Sequence, residues 1–195
     1  MRRLLALNNQ GQLRVRTSDR SEPFARCPTA LLLIDTSGSM AGTKIEQAQS
    51  GALSFAHSAT LKSYATALAI FGDRAAMVSD PTTDAAHFDI AVSRLKVGMV
   101  GRNTNLTDGL VLAGKMVDLT AIVILTDGYT NDKEAALLYA SILKSHGVVI
   151  ICIGTDDADI EFLRQISTRS DLTMHVQPQQ LGAALAGASR LLPTG

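Results

Sequence analysis

The chain predicts an α/β fold, a doubly wound and mostly parallel six-stranded sheet with helices on both faces and one antiparallel edge strand. Three observations predict it. Short apolar runs alternate with helix-patterned segments from Thr29 onward, the order that right-handed crossovers produce. The runs near Ala30, Ala121 and Val148 are apolar without alternation, as strands covered on both faces are. Residues 64–71 and 75–78 are separated only by Gly72, Asp73 and Arg74, too short for a crossover, so the second is read as an antiparallel edge strand.

Each element follows in order. A strand at 30–35 leads to a helix at 43–60, where Ile45, Ala48, Ala52, Phe55, Ala56 and Ala59 share one face and the TKIE stretch at 43–46 has the spacing of a capping box. After the strand pair, Phe88, Val92 and Leu95 mark a second helix, and Leu110, Ala113, Met116 and Val117 a third. A strand at 121–126 precedes a helix at 133–147, with Gly147 as its C-terminal stop. Strands at 148–154 and 174–176 and helices at 159–167 and 180–192 complete the series. Before it, the turn-like NNQG between Leu7 and Leu13 suggests a small hairpin appended to an edge, so residues 1–28 read as an arm and 29–195 as one domain.

Composition narrows the function. A chain of 195 residues with 46% hydrophobic and 18% charged residues has the make-up of one globular domain. The formal net charge is zero, which gives no reason to expect nucleic acid. Six of the eighteen basic residues, all arginine, fall in residues 1–26 beside only Asp19 and Glu22, the pattern of a solvated arm on a mildly acidic body. No apolar run approaches the ~20 residues of a membrane span, and the first residues lack a secretory leader's apolar stretch, so the expected location is cytoplasmic. Cys27 and Cys152 are too few for a disulfide framework or a zinc cage.

In an open α/β sheet ligands bind beyond the carboxyl ends of the strands, beside the switch in strand order. The loops expected there contain DTSGSM at 35–40, DGYTND at 127–132 and TDDAD at 155–159, with the polar connection GRNTNLTDG at 101–109 facing them. Asp35, Ser37 and Ser39 are hard oxygen donors at alternate positions, a pattern open to a nucleophile, a phosphate cradle, a metal site or a helix cap. Gly109 to Met116 comes within one residue of the phosphate-binding loop, but Met116 replaces its last hydroxyl and no strand precedes it. For a serine nucleophile, His57, His87, His146 and His175 all fall away from the predicted central crevice. An aspartyl phosphotransferase would want a carboxylate where Ser37 stands. Asp156, Asp157 and Asp159 precede a helix and read as N-terminal caps in preference to a calcium loop.

Together these residues resemble the metal-ion-dependent adhesion site of von Willebrand factor A domains. Asp35-Thr36-Ser37-Gly38-Ser39 is similar to that family's D-x-S-x-S motif, and Thr104 and Asp127 stand where its later threonine and strand-end aspartate do. The resemblance spans about residues 29–192 and implies a Rossmann-like sheet. It further implies magnesium, with manganese or calcium as alternatives, held by the hydroxyls of Ser37, Ser39 and Thr104. Asp35 and Asp127 would act through bound water or hydrogen bonds to those hydroxyls. Gly38 and Gly128 would let backbone pass close to the ion, Asp108 would be an acceptor behind the threonine loop, and Asn103 and Asn105 would shape that loop. Neutral direct ligands leave the ion's charge uncompensated, so its open position would attract an Asp or Glu carboxylate from a protein partner. The implied function is non-enzymatic: an intracellular adaptor beside an AAA+ ATPase of the MoxR type, a chelatase-like assembly or a tellurium-resistance-like system, with neither nucleic acid nor membrane as partner. The alternatives are a magnesium-dependent hydrolase and a scaffold with a vestigial metal site.

Overall fold

The structure, a computed structural model, describes residues 5–7, 13–15, 27–130 and 132–194. Strands β1 (Leu5–Leu7) and β2 (Leu13–Val15) pair antiparallel, Leu5 opposite Val15 and Leu7 opposite Leu13, in a two-stranded sheet of their own. The NNQG turn foreseen between them, and the rest of the arm to residue 26, lie outside the described residues.

The main sheet has six strands: β3 (Thr29–Asp35), β4 (Ala65–Phe71), β5 (Ala75–Thr82), β6 (Leu119–Thr126), β7 (Val149–Thr155) and β8 (Thr173–Val176). Their order is β5-β4-β3-β6-β7-β8, every pair parallel except β4 with β5. The chain therefore winds outward from β3 to β5, returns across the sheet to β6, and winds outward again. The switch falls between β3 and β6, so the crevice opens where Asp35 and Asp127 end or follow their strands.

Helices cover both faces because the central strands have no polar face to leave in water. All seven residues of β3 are buried. Its Ala30, Leu32 and Ile34 join a core with Phe55 of α1 (Thr43–Thr60), Phe88 of α2 (Ala85–Ser93) and Leu185 of α6 (Leu181–Ala188). Leu31 and Leu33 join a second core with Leu110 of α3 (Leu106–Ala113), Ala140 of α4 (Lys133–Ser145) and Phe162 of α5 (Ile160–Ile166). Each fully buried Leu, Ile or Phe side chain contributes roughly 1.5–3 kcal/mol. The fold class expected from the sequence is the one observed.

Several element ends differ from expectation. The capping box does not form: Gly42 (φ 74°) is the N-cap of α1 without a side-chain cap bond, and Thr43 is already helical. α3 starts earlier and stops at Ala113, because Asn105 caps it and the chain leaves the helix at Gly114; Met116 and Val117 lie beyond, with Val117 exposed. α2 ends at Ser93, so Leu95 is buried from outside the helix. β5 runs on to Thr82 through Pro81, which an edge strand tolerates because one side of it has no ladder to complete. Among the described residues no helix is long and apolar enough to cross a membrane.

Candidate metal centre

Asp35 ends β3 with no solvent exposure. Its Oδ1 accepts the Ser37 N–H at 2.8 Å, an Asx-type turn that bends the chain out of the strand. The next residues form a tight 3-10 turn, Gly38–Met40, pinned by the fully buried Met40, while Ser37 is buried and Ser39 exposed. The two serine hydroxyls lie 3.1 Å apart.

The other half comes from across the switch. Asp127 follows β6, and its Oδ1 accepts from Ser39 Oγ at 2.7 Å. Thr126 Oγ1 donates to Asp35 Oδ2 at 2.7 Å, and Thr104 Oγ1 approaches the same oxygen at 3.5 Å. Thr104 is held by its neighbours: Asn105 N–H donates to the Gly72 carbonyl at 2.7 Å, and the Asn105 side chain accepts from Asp108 N–H, capping α3. Asn103 donates twice to Asp73 Oδ1, at 3.0 Å from its backbone and 2.6 Å from its side chain, which holds the Asp73 carboxyl below the usual range. Arg102 O accepts from Gly38 N–H at 3.2 Å, so the serine loop and threonine loop are joined directly.

Asp35, Ser37, Ser39, Thr104 and Asp127 are thus brought into one cluster. A Cβ on Gly128 would sit 3.1 Å from Thr104 Oγ1, so any larger residue presses on that hydroxyl, whereas one on Gly38 would meet only the Arg102 guanidinium at an ordinary 3.4 Å. The Asp108 carboxylate lines a neighbouring polar recess with Asp73, Asn105 and Asp132, and no hydrogen bond joins it to Thr104 among the described residues.

Burial pushes the Asp35 carboxyl up to about 6, against hydrogen bonds from Thr126 and Ser37 that lower it, and with the Asp127 charge raising it slightly further. Lys44, in the first turn of α1, donates to Asp127 Oδ2 and, at 2.8 Å, to Asp156 Oδ2. Burial lowers its pKa, but the two carboxylates outweigh that and hold it above its ordinary value. Sequence reasoning missed Lys44, which a first helical turn explained, and Thr126, which read as a strand residue. The one signal for Thr126 is its place directly before Asp127.

The oxygen donors fit a small hard cation. Adjacent ligands at ~2.1 Å around octahedral magnesium lie about 3 Å apart, and the hydroxyls of Ser37 and Ser39 are 3.1 Å apart. The remaining readings of the sequence lose ground. Gly109 sits within α3, where a Cβ would strike Leu33 at 2.8 Å, so it is a packing glycine of a helix and not part of a phosphate loop. Asp159 caps α5 through Phe162 N–H at 3.0 Å. His175 Nε2 lies 3.2 Å from the Asp156 carbonyl; among the described residues no histidine is hydrogen-bonded to the serines.

Known proteins share the fold. The model of the von Willebrand factor type A domain matches residues 30–130, more than half of the chain. No curated protein sequence matches. Among solved structures, proximal thread matrix protein 1 from the mussel byssus superposes with a TM-score of 0.73 at 18% identity, over 85% of this chain and 46% of its own. This chain therefore spans less than half the length of that protein, another crystal of which has a zinc-occupied MIDAS motif. The vWF domain of the type V pili tip protein Mfa5 from Porphyromonas gingivalis gives 0.71 at 14% identity, over 85% and 95%. The SpRpn10 VWA domain gives 0.67 at 20% identity, over 87% and 97%. By the extent of the family match and the shared sheet, the chain belongs to the von Willebrand factor type A domain family.

Proposed function

We propose that this protein is a metal-dependent interaction module: Ser37, Ser39 and Thr104 hold a divalent cation through their hydroxyls, and the ion receives a carboxylate from a protein partner. The observation that carries the reading is the convergence of five oxygen-bearing side chains from three loops, with Thr104 and Asp127 lying 69 and 88 residues from their hydrogen-bond partners Asp35 and Ser39. A helix cap needs none of that convergence. The zinc-occupied MIDAS motif of the byssus protein supports an ion on this fold. Magnesium is the cation proposed for this hard-oxygen donor set, with manganese or calcium as further candidates.

The bound ion would supply a Lewis-acidic position open to an outside oxygen. The chain's own groups do the rest. Asp35 fixes the turn that presents Ser37, and its other oxygen meets Thr126 behind the site and Thr104 within it. Asp127 orients Ser39, whose exposure leaves the site open to a docking Asp or Glu. Arg102, exposed and lying over Gly38, adds positive charge at the rim. The reading is of binding and not hydrolysis: the carboxylates of Asp35 and Asp127 are each engaged by donors of the chain itself, and none of the four exposed histidines is hydrogen-bonded to Ser37 or Ser39 among the described residues.

We place the module in an intracellular complex as an adaptor, with an AAA+ ATPase as the class of partner to seek first. Capture of a partner from native lysate should depend on magnesium, vanish with EDTA and vanish with Asp35→Ala. A partner retained unchanged under both treatments overturns the mechanism. Phosphatase or nucleotidase turnover lost in Thr104→Ala would establish the hydrolase instead.

A further inference from the structure

The candidate metal centre already contains a cation of the chain's own. Lys44 Nζ is shared between Asp127 Oδ2 and Asp156 Oδ2, its side chain 14% exposed and that of Asp127 fully buried. The Asp127 carboxylate is divided, one oxygen to the Ser39 hydroxyl and the other to the ammonium. Asp156 differs in setting. It lies in the loop between β7 and α5, its carboxylate 38% exposed and its backbone at φ 49°, and its carbonyl meets His175. The ammonium therefore has two carboxylates, one inside the site and one at the rim.

We propose that Lys44 sets the site's affinity for divalent cations: its ammonium balances Asp127 when no ion is held, and moves its share to Asp156 when one is. The inference rests on the reading of Asp35, Ser37, Ser39, Thr104 and Asp127 as a metal centre. With both site carboxylates ionised and Lys44 protonated, the cluster carries one net negative charge in place of two. An incoming divalent cation meets a weaker attraction and a like charge at the far oxygen of Asp127, so it binds less tightly. It also keeps a net positive charge in the assembled site, which an outside carboxylate then neutralises. A lysine acting only as a strut from α1 to the two loops would do the reverse. Removing a strut loosens the site and weakens binding, whereas removing a competitor strengthens it.

Isothermal titration of the full chain with magnesium chloride, and separately with manganese chloride, distinguishes the two. Lys44→Gln should bind about tenfold more tightly than the unmodified chain, the scale of coupling between close charges. Asp156→Asn, conservative at a positive φ that asparagine tolerates, should bind several-fold more weakly, because the ammonium then has only Asp127 to hold. The double variant should match Lys44→Gln, since Asp156 acts through Lys44; a through-space effect of the lost charge would persist in it and overturn the handover. Equal or weaker binding by Lys44→Gln, with the unmodified chain still binding, overturns the proposal and leaves the metal centre standing. No binding by any of the four proteins overturns both. Should Lys44→Gln fail to fold, Asp156→Asn decides: unchanged affinity there overturns the proposal.

Discussion

Asp35 is the residue where the fold and the site make opposite demands. The fold buries it completely, and burial pushes its pKa from an ordinary 3.8 up to about 6; a cation would require it ionised. The sign follows from linkage. A carboxyl raised in the folded state contributes stability that is present in full below about pH 4 and lost as the pH rises through about 6, worth about 3 kcal/mol in the metal-free chain. Urea unfolding in EDTA should therefore show the unmodified chain losing ground to Asp35→Asn between pH 4 and pH 7, and saturating magnesium should offset the loss. A stability difference between the two that is flat across that interval sinks the assignment. Much of this was legible in the sequence. Asp35, Ser37 and Ser39 are visible because their spacing is local, and Thr104 and Asp127 because they belong to recognisable short motifs. Lys44 and Thr126 were not, since each has an ordinary local explanation and their part in the site depends on which loops the sheet brings together.

At the scale of elements, the strands were legible where they are central and the ends of helices were not. An unbroken apolar run such as Leu31 to Ile34 has one meaning in a chain of this pattern, because burial on both faces removes every polar option. Ends are decided by single residues: Asn105 starts α3 earlier than its apolar spacing suggests, and Gly42 displaces the cap expected from Thr43. Gly51 shows the same dependence on a partner. A glycine in the middle of an 18-residue helix costs about 1 kcal/mol relative to alanine, so it is retained for space. A Cβ there would lie 2.8 Å from Gly182 O, 2.9 Å from Gly182 Cα and 2.9 Å from Leu185 Cβ, all on α6. Gly51→Ala should therefore destabilise the protein by about 1–3 kcal/mol despite its better helix propensity, since overpacking outweighs the gain. Chemical denaturation checks this, and an alanine variant as stable as the parent would show that the two helices can separate at no cost.

For the molecule as a whole, the site lies where the winding reverses, and that position has a thermodynamic consequence. The candidate ligands are drawn from the end of β3, from the loop before α3 and from the end of β6, so they span both halves of the doubly wound sheet. An ion bound there is released when either half opens. Because the ion binds the folded chain and not the unfolded one, magnesium at 100 times its dissociation constant should add about 2.7 kcal/mol. For a chain of this size that amounts to a rise of roughly 5–10 °C in the thermal midpoint. The rise should come as a shift of one sharp transition, since neither half can unfold while the ion bridges them. Asp127→Asn should abolish it, and sodium chloride at equal ionic strength should not reproduce it. A midpoint that moves equally with sodium, or a transition that splits so that one half melts without regard to magnesium, would show that the oxygens gathered at the switch between β3 and β6 do not hold an ion in common.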